Sequence, residues 1–211
     1  MCSWCWGFAP VLEQLEARYT IPITTVVGGL RPGSDAEPLN RSMRDMLLHH
    51  WDQVQARTGQ PFDRRGLDRE GWVYDTELPA RAVVTMRDMA AKDTLSFFTH
   101  LQHAFYADAV DVTALESYPD LVEGFAVDAA TFLERLGAES SRDAAWADFR
   151  SARRMGVAGF PTLLLRIDDR YAIVTRGYAP FDALEPAVTA WLTEQYPDQV
   201  DGLVCSIDGA C

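Results

Sequence analysis

The stretch Cys2-Ser3-Trp4-Cys5-Trp6-Gly7-Phe8-Ala9-Pro10 decides the fold of this chain. Downstream of it Phe8, Val11, Leu12, Leu15 and Tyr19 recur at spacings of three and four, which predicts an amphipathic helix with the two cysteines at its start. Pro10 lies early enough to kink that helix rather than stop it. A thiolate at the first position faces unpaired amide donors and the positive end of the helix dipole, both of which favour negative charge. That matters because an ordinary thiol, with a pKa of roughly 8.5, is mostly protonated at neutral pH. One turn on, Cys5 is placed to close a disulfide with Cys2. Ser3 and Trp4 carry no positive charge, so the helix end is the stabilisation visible here. The same spacing also suits half a zinc site or a buried structural pair. Zinc needs two further ligands, and Cys205 and Cys211 are candidates, although their spacer is longer than the usual knuckle. His100 and His103 share a polar helical face and read as surface histidines.

Outward from the dithiol helix, residues 21–27 are β-branched and end at Gly28-Gly29, which predicts a buried strand. The loop Gly28-Gly29-Leu30-Arg31-Pro32-Gly33 leads into a long region of helical period, with helices expected near 39–56, 80–91, 94–107, 113–123, 129–136 and 142–155. Pro79 marks one start, and Thr113 with Glu116 forms a candidate capping box for another. Residues 61–78 show no period and are expected to be irregular. After Gly156 the pattern changes: 162–167 and 171–175 read as strands joined by an Asp168-Asp169 turn. A helix over 182–195 follows, with Leu184, Val188, Trp191 and Leu192 on one face, and then a polar tail. The chain has no internal repeat.

Composition narrows the function. The 211 residues are 48% hydrophobic, enough for a sizeable core, and 19 basic against 31 acidic residues give a formal charge of −12. Phosphate backbones and anionic lipid surfaces are repelled by such a surface, so neither nucleic acid nor membrane is an expected partner. No stretch approaches the roughly 20 apolar residues of a membrane helix, and no basic-then-apolar leader opens the chain, so it reads as soluble and cytoplasmic. Four cysteines gathered at the two ends do not make a disulfide framework; in a reducing compartment close pairs are catalytic, sensory or metal-binding.

A second signal lies far along the chain. Gly156-Val157-Ala158-Gly159-Phe160-Pro161-Thr162 brings a proline to the first position of a strand, where proline is tolerated and where an X-Pro bond can be cis. Taken together, the Cys2–Phe8 run, the Gly28–Gly33 loop and the Gly156–Thr162 run resemble the DsbA family, and within it the FrnE-like branch of predicted cytoplasmic protein-disulfide isomerases. Ala104-Phe105-Tyr106 and Asp111-Val112-Thr113 also resemble a segment of that family's helical region.

The resemblance implies an α/β, thioredoxin-like fold with an inserted helical domain. Residues 1–35 and 156–196 would form the thioredoxin-like part, 36–155 the insert and 197–211 a tail. It implies a disulfide reductase or isomerase with Cys2 as nucleophile and Cys5 as resolving thiol, acting on disulfide-containing proteins or peptides. A thioredoxin- or glutathione-type electron donor would recharge it, and no cofactor is implied. Pro161 would be cis and face the dithiol, the Phe160 backbone would pair with substrate by strand addition, and Trp4, Trp6 and Phe160 would form an apolar lip, unless Trp6 is simply core. Cys205 and Cys211 are a possible accessory dithiol.

Two other functions sit on related ground: a kappa-class glutathione transferase or 2-hydroxychromene-2-carboxylate isomerase, which usually carries serine at the nucleophile position, and a zinc-binding protein. Retention of both Cys2 and Cys5 favours redox chemistry. The family also places a strand directly before the dithiol, whereas Cys2 is the second residue here. The expectation is that the sequence is N-terminally short, which makes the cytoplasmic reading conditional on what precedes Met1.

Overall fold

The computed structural model describes residues 1–198 and Val204; Cys205 and Cys211 lie outside the described residues. The dithiol helix α1 spans Ser3–Arg18, with Pro10 inside it, and Cys2 is its N-cap in an extended conformation. Two of its faces bury different side chains. Trp6 and Ala9 join a large helical core, while Phe8, Val11, Leu15 and Tyr19 join a second cluster with Leu165, Leu184, Val188 and Leu192. A single amphipathic helix therefore belongs to both cores.

The helical region follows as α2 (Arg41–Thr58), α3 (Glu77–Met89) and α4 (Thr94–Tyr106). Next come the one-turn α5 (Tyr118–Leu121), α6 (Ala129–Gly137) and α7 (Glu139–Arg154). Local chemistry sets the ends of α2: the Asn40 side chain accepts from the Met43 amide at its start. Gly59, at φ 77°, takes the left-handed turn at its close. Residues between α2 and α3 are irregular as expected, apart from a 3₁₀ turn at Arg64–Leu67. The core of this region is aromatic, with Trp51, Phe97, Phe105, Tyr106, Tyr118 and Phe132 each almost fully enclosed.

The hairpin also forms. Strand β1 (Thr162–Ile167) pairs antiparallel with β2 (Arg170–Arg176), Leu165 opposite Ala172, with an irregularity between Leu163 and Leu164. At its turn Asp168 sits at φ 52°, a left-handed position that aspartate tolerates better than most residues. Helix α8 (Phe181–Gln195) then packs Leu184, Val188 and Leu192 onto the second cluster.

Two expected elements differ. Residues 21–27 form no strand among the described residues. Two of their backbone groups are bound by side chains. Arg87 Nη1 donates to the Thr25 carbonyl at 2.9 Å, and the Val27 amide donates to Asp148 Oδ2 at 3.1 Å. Periodicity and β-branching cannot distinguish a ladder partner from such side-chain caps.

The expected helix over 113–123 is also absent. A 3₁₀ turn at Leu115–Ser117 runs into α5, whose first turn contains Pro119. A helix begun at Thr113 would meet a missing amide donor at Pro119. Thr113 spends its hydroxyl elsewhere, donating to Asp111 Oδ1 at 2.6 Å and accepting from Trp72 Nε1 at 2.9 Å.

Candidate active site

The two thiols are free and half-buried. Cys2 caps the start of α1, and its carbonyl accepts from the amides of Cys5 and Trp6 at 3.1 and 3.2 Å. The Cys2 pKa is lowered to about 7, chiefly because the Cys5 thiol donates a hydrogen bond to its sulfur; burial opposes this, and the Cys5 and Trp4 amides add to it. Cys5 moves the other way, well above the ordinary thiol range, because it gives that hydrogen bond and is buried. One sulfur is thus tuned to be a thiolate near neutral pH while its neighbour holds its proton.

The distant glycine-rich run returns to this point. The Phe160-Pro161 peptide bond is cis, Pro161 is buried, and the Cys2 thiol lies 3.6 Å from the Phe160 carbonyl oxygen. Gly28 makes room for this approach: a Cβ there would meet the Phe160 ring at 1.9 Å. In sequence the Gly28-Gly29 pair marks the end of an apolar run, and its packing role against Phe160 leaves no local signal.

The expected lip is only partly formed. Trp4 is half-buried and pairs with Tyr178, ring centroids 6.0 Å apart, and Phe160 lines the same cleft. Trp6 is not part of it. Only 3% exposed, it stacks on Tyr106 at 6.5 Å and donates from Nε1 to the Pro61 carbonyl at 3.1 Å. The helical period explains the difference, since Trp4 and Trp6 lie two positions apart and face different sides of α1. Sequence reading also missed two buried phenols close to the sulfurs. Tyr74 and Tyr106 have hydroxyls 3.5 Å apart, and burial is the first cause that raises the pKa of each.

On the inner side the thiols form one end of an apolar cavity of about 590 Å³, lined among others by Ile23, Val27, Pro161, Leu163 and Leu165. Among the described residues no group of three or more His, Cys, Asp or Glu is placed to hold a metal. His103 bonds Asp108 at 2.9 Å and sets its ring edge-on to Trp6. The suggested accessory pair, Cys205 and Cys211, lies outside the described residues.

The fold has known counterparts among solved structures. A Nitrosomonas europaea protein provisionally described as a protein disulfide isomerase superposes with a TM-score of 0.85 at 32% identity, covering 93% of this chain and 94% of that one. The cytosolic disulfide reductase DsbM from Pseudomonas aeruginosa, solved alone and with GSH, gives TM-scores of 0.76 and 0.75 at 22% identity. Those matches cover 90% of this chain and 94% and 95% of the DsbM chains. In sequence the chain is 21% identical over 192 residues to the ClpXP adapter protein SpxH of Halalkalibacterium halodurans; the match covers 86% of this chain and 61% of that protein. No family model matches.

Fold and site define a thioredoxin-fold protein with an inserted helical region. The chain belongs to the DsbA family of thiol-disulfide oxidoreductases. Among the described residues no helix is long and apolar enough to cross a membrane.

Proposed function

We propose that this protein reduces or isomerises disulfides of protein or peptide substrates in the cytoplasm, with Cys2 as nucleophile and Cys5 as resolving thiol. The observation that carries this reading is the opposite tuning of the two sulfurs, Cys2 down to about 7 and Cys5 up, next to Phe160 and the cis Pro161.

In the reduction, the Cys2 thiolate attacks one sulfur of the substrate disulfide, forming a mixed disulfide and releasing the other sulfur as a thiolate. Cys5 then passes its proton away and attacks the Cys2 sulfur, closing Cys2–Cys5 and freeing the second substrate thiol. The substrate gains two electrons and the protein loses two; a thioredoxin- or glutathione-type thiol restores the dithiol. In isomerisation a different thiolate of the substrate attacks the substrate sulfur of the mixed disulfide instead, forming a new substrate disulfide and expelling the Cys2 thiolate, so the protein ends reduced. The Phe160 backbone pairs with the substrate segment by strand addition, and Trp4 and Phe160 supply an apolar contact.

The similarity to the cytosolic reductase and to the provisionally described isomerase supports both directions and a cytoplasmic setting, in keeping with a FrnE-like branch. A transferase of the kappa class needs no resolving thiol, so the retained Cys5 speaks against that use. Trapping tests the proposal. A Cys5→Ser variant incubated with disulfide-bonded substrates is expected to accumulate mixed disulfides through Cys2, seen by mass spectrometry. Absence of adducts, together with a wild-type pair that never oxidises, would overturn it.

A further inference from the structure

On the outer side of the dithiol, Trp4, Phe160, Gly177 and Tyr178 line an open cleft of about 390 Å³, and the fifth lining residue is Arg57. Arg57 stands in the last turn of α2 and is exposed. Arg44 on the same helix, and Arg64, Arg65 and Arg69 after it, each face an aspartate. Arg57 faces none among the described residues, in a chain with 31 acidic and 19 basic residues. Phe160 joins this cleft to the reacting sulfur, since its carbonyl lies 3.6 Å from the Cys2 sulfur. A guanidinium unpaired among the described residues and aromatic side chains therefore share a cleft that Phe160 links to the nucleophile.

We propose that this cleft selects substrates carrying a carboxylate next to the disulfide cysteine, so that acidic peptide disulfides are the favoured class. The inference rests on the thiol-disulfide exchange proposed above. Guanidinium geometry matches a carboxylate through two parallel hydrogen bonds, and Trp4 and Tyr178 line the same cleft. A helix C-terminus also favours a cation, so a purely structural role for Arg57 is the competing account.

Single-turnover oxidation separates the two. The reduced protein is mixed with the symmetrical disulfide of a blocked Glu-Cys-Glu peptide or of its Gln-Cys-Gln counterpart. Each turnover converts one peptide disulfide and the protein dithiol into two peptide thiols and the Cys2–Cys5 disulfide, followed by tryptophan fluorescence. Wild type is expected to react about threefold to fivefold faster with the Glu peptide at low salt, the upper range for an exposed ion pair. Raising salt to roughly 1 M shrinks that preference. In Arg57→Gln it inverts, because the net charge of −12 then repels the acidic peptide unopposed, and Arg57→Lys retains part of it. A structural role moves both rates together. A Glu-to-Gln rate ratio that is the same in wild type and Arg57→Gln would therefore overturn the inference and leave the exchange chemistry standing. If neither peptide oxidises the dithiol, the proposed function itself fails and the inference falls with it.

Discussion

Cys2 and Cys5 are the same side chain three positions apart, yet their surroundings drive them in opposite directions. The hydrogen bond between them stabilises the charge on Cys2 and ties the proton to Cys5, and burial adds to the second effect. Ionisation of Cys2 is thus expected to follow a midpoint near pH 7. Alkylation of the reduced protein by iodoacetamide should rise with pH through that value, level off above it and mark Cys2 alone, as peptide mapping would show. Cys5→Ala removes the largest cause of the lowering and should raise the midpoint toward the ordinary thiol range of roughly 8.5. A wild-type midpoint already in that range would contradict the asymmetry. Of this residue-level chemistry, the spacing and the helix start are legible in the sequence. The contact with Phe160, 158 positions away, is not, because nothing local to either residue encodes it.

At the scale of elements, the segment 21–27 shows how side chains from two helices bind an irregular stretch of backbone. Arg87 on α3 and Asp148 on α7 form an ion pair, with Nη1 to Oδ2 at 2.8 Å, and together bind the Thr25 carbonyl and the Val27 amide. This clasp ties the segment leading to Gly28, and hence the floor beneath Phe160, to the helical region. Asp148→Ala leaves a partly buried guanidinium and an amide without their acceptor. The expected loss is about 2 kcal/mol, in the range for charged hydrogen bonds, measured as a lower urea midpoint. Asp148→Asn keeps an acceptor for Val27 and should lose less. Equal midpoints for Asp148→Ala and wild type would show that water replaces the clasp without cost. The missing helix at 113–123 belongs to the same scale: Thr113 and Glu116 have the capping-box spacing, but Pro119 and the Trp72–Thr113 hydrogen bond settle the local structure.

Across the whole molecule, two hydrophobic clusters meet at α1, so the dithiol stands where they share a helix. Phe132 belongs to the helical cluster, fully enclosed and in ring contact with Phe97 and Tyr118. None of the causes of the Cys2 shift arises from that layer. Phe132→Leu is expected to lower stability by about 1 kcal/mol, as roughly size-conserving core changes do, while the Cys2 midpoint stays near 7. Denaturant unfolding and the alkylation profile of the same variant check both halves. A shifted midpoint would mean that packing in the helical region is transmitted to the sulfurs.

The sequence by itself determined the dithiol helix, most of the helices between, the hairpin and the closing helix, because each rests on a short-range signal: apolar period, a cap, a turn or a proline. It also marked Cys2, Cys5, Phe160 and Pro161 as residues to watch, through their resemblance to the DsbA family. Only the tertiary structure decided that Arg87 and Asp148 bind the backbone of residues 21–27, and that Trp6 is core while Trp4 faces the cleft. It alone brings Arg57 and Tyr178 to that cleft. The physical reason is one of range. Hydrogen-bond patterns within a helix or hairpin are written in neighbouring residues. Which side chain satisfies a distant backbone group, and which aromatic ring is left facing solvent, follow from how the two cores close around α1.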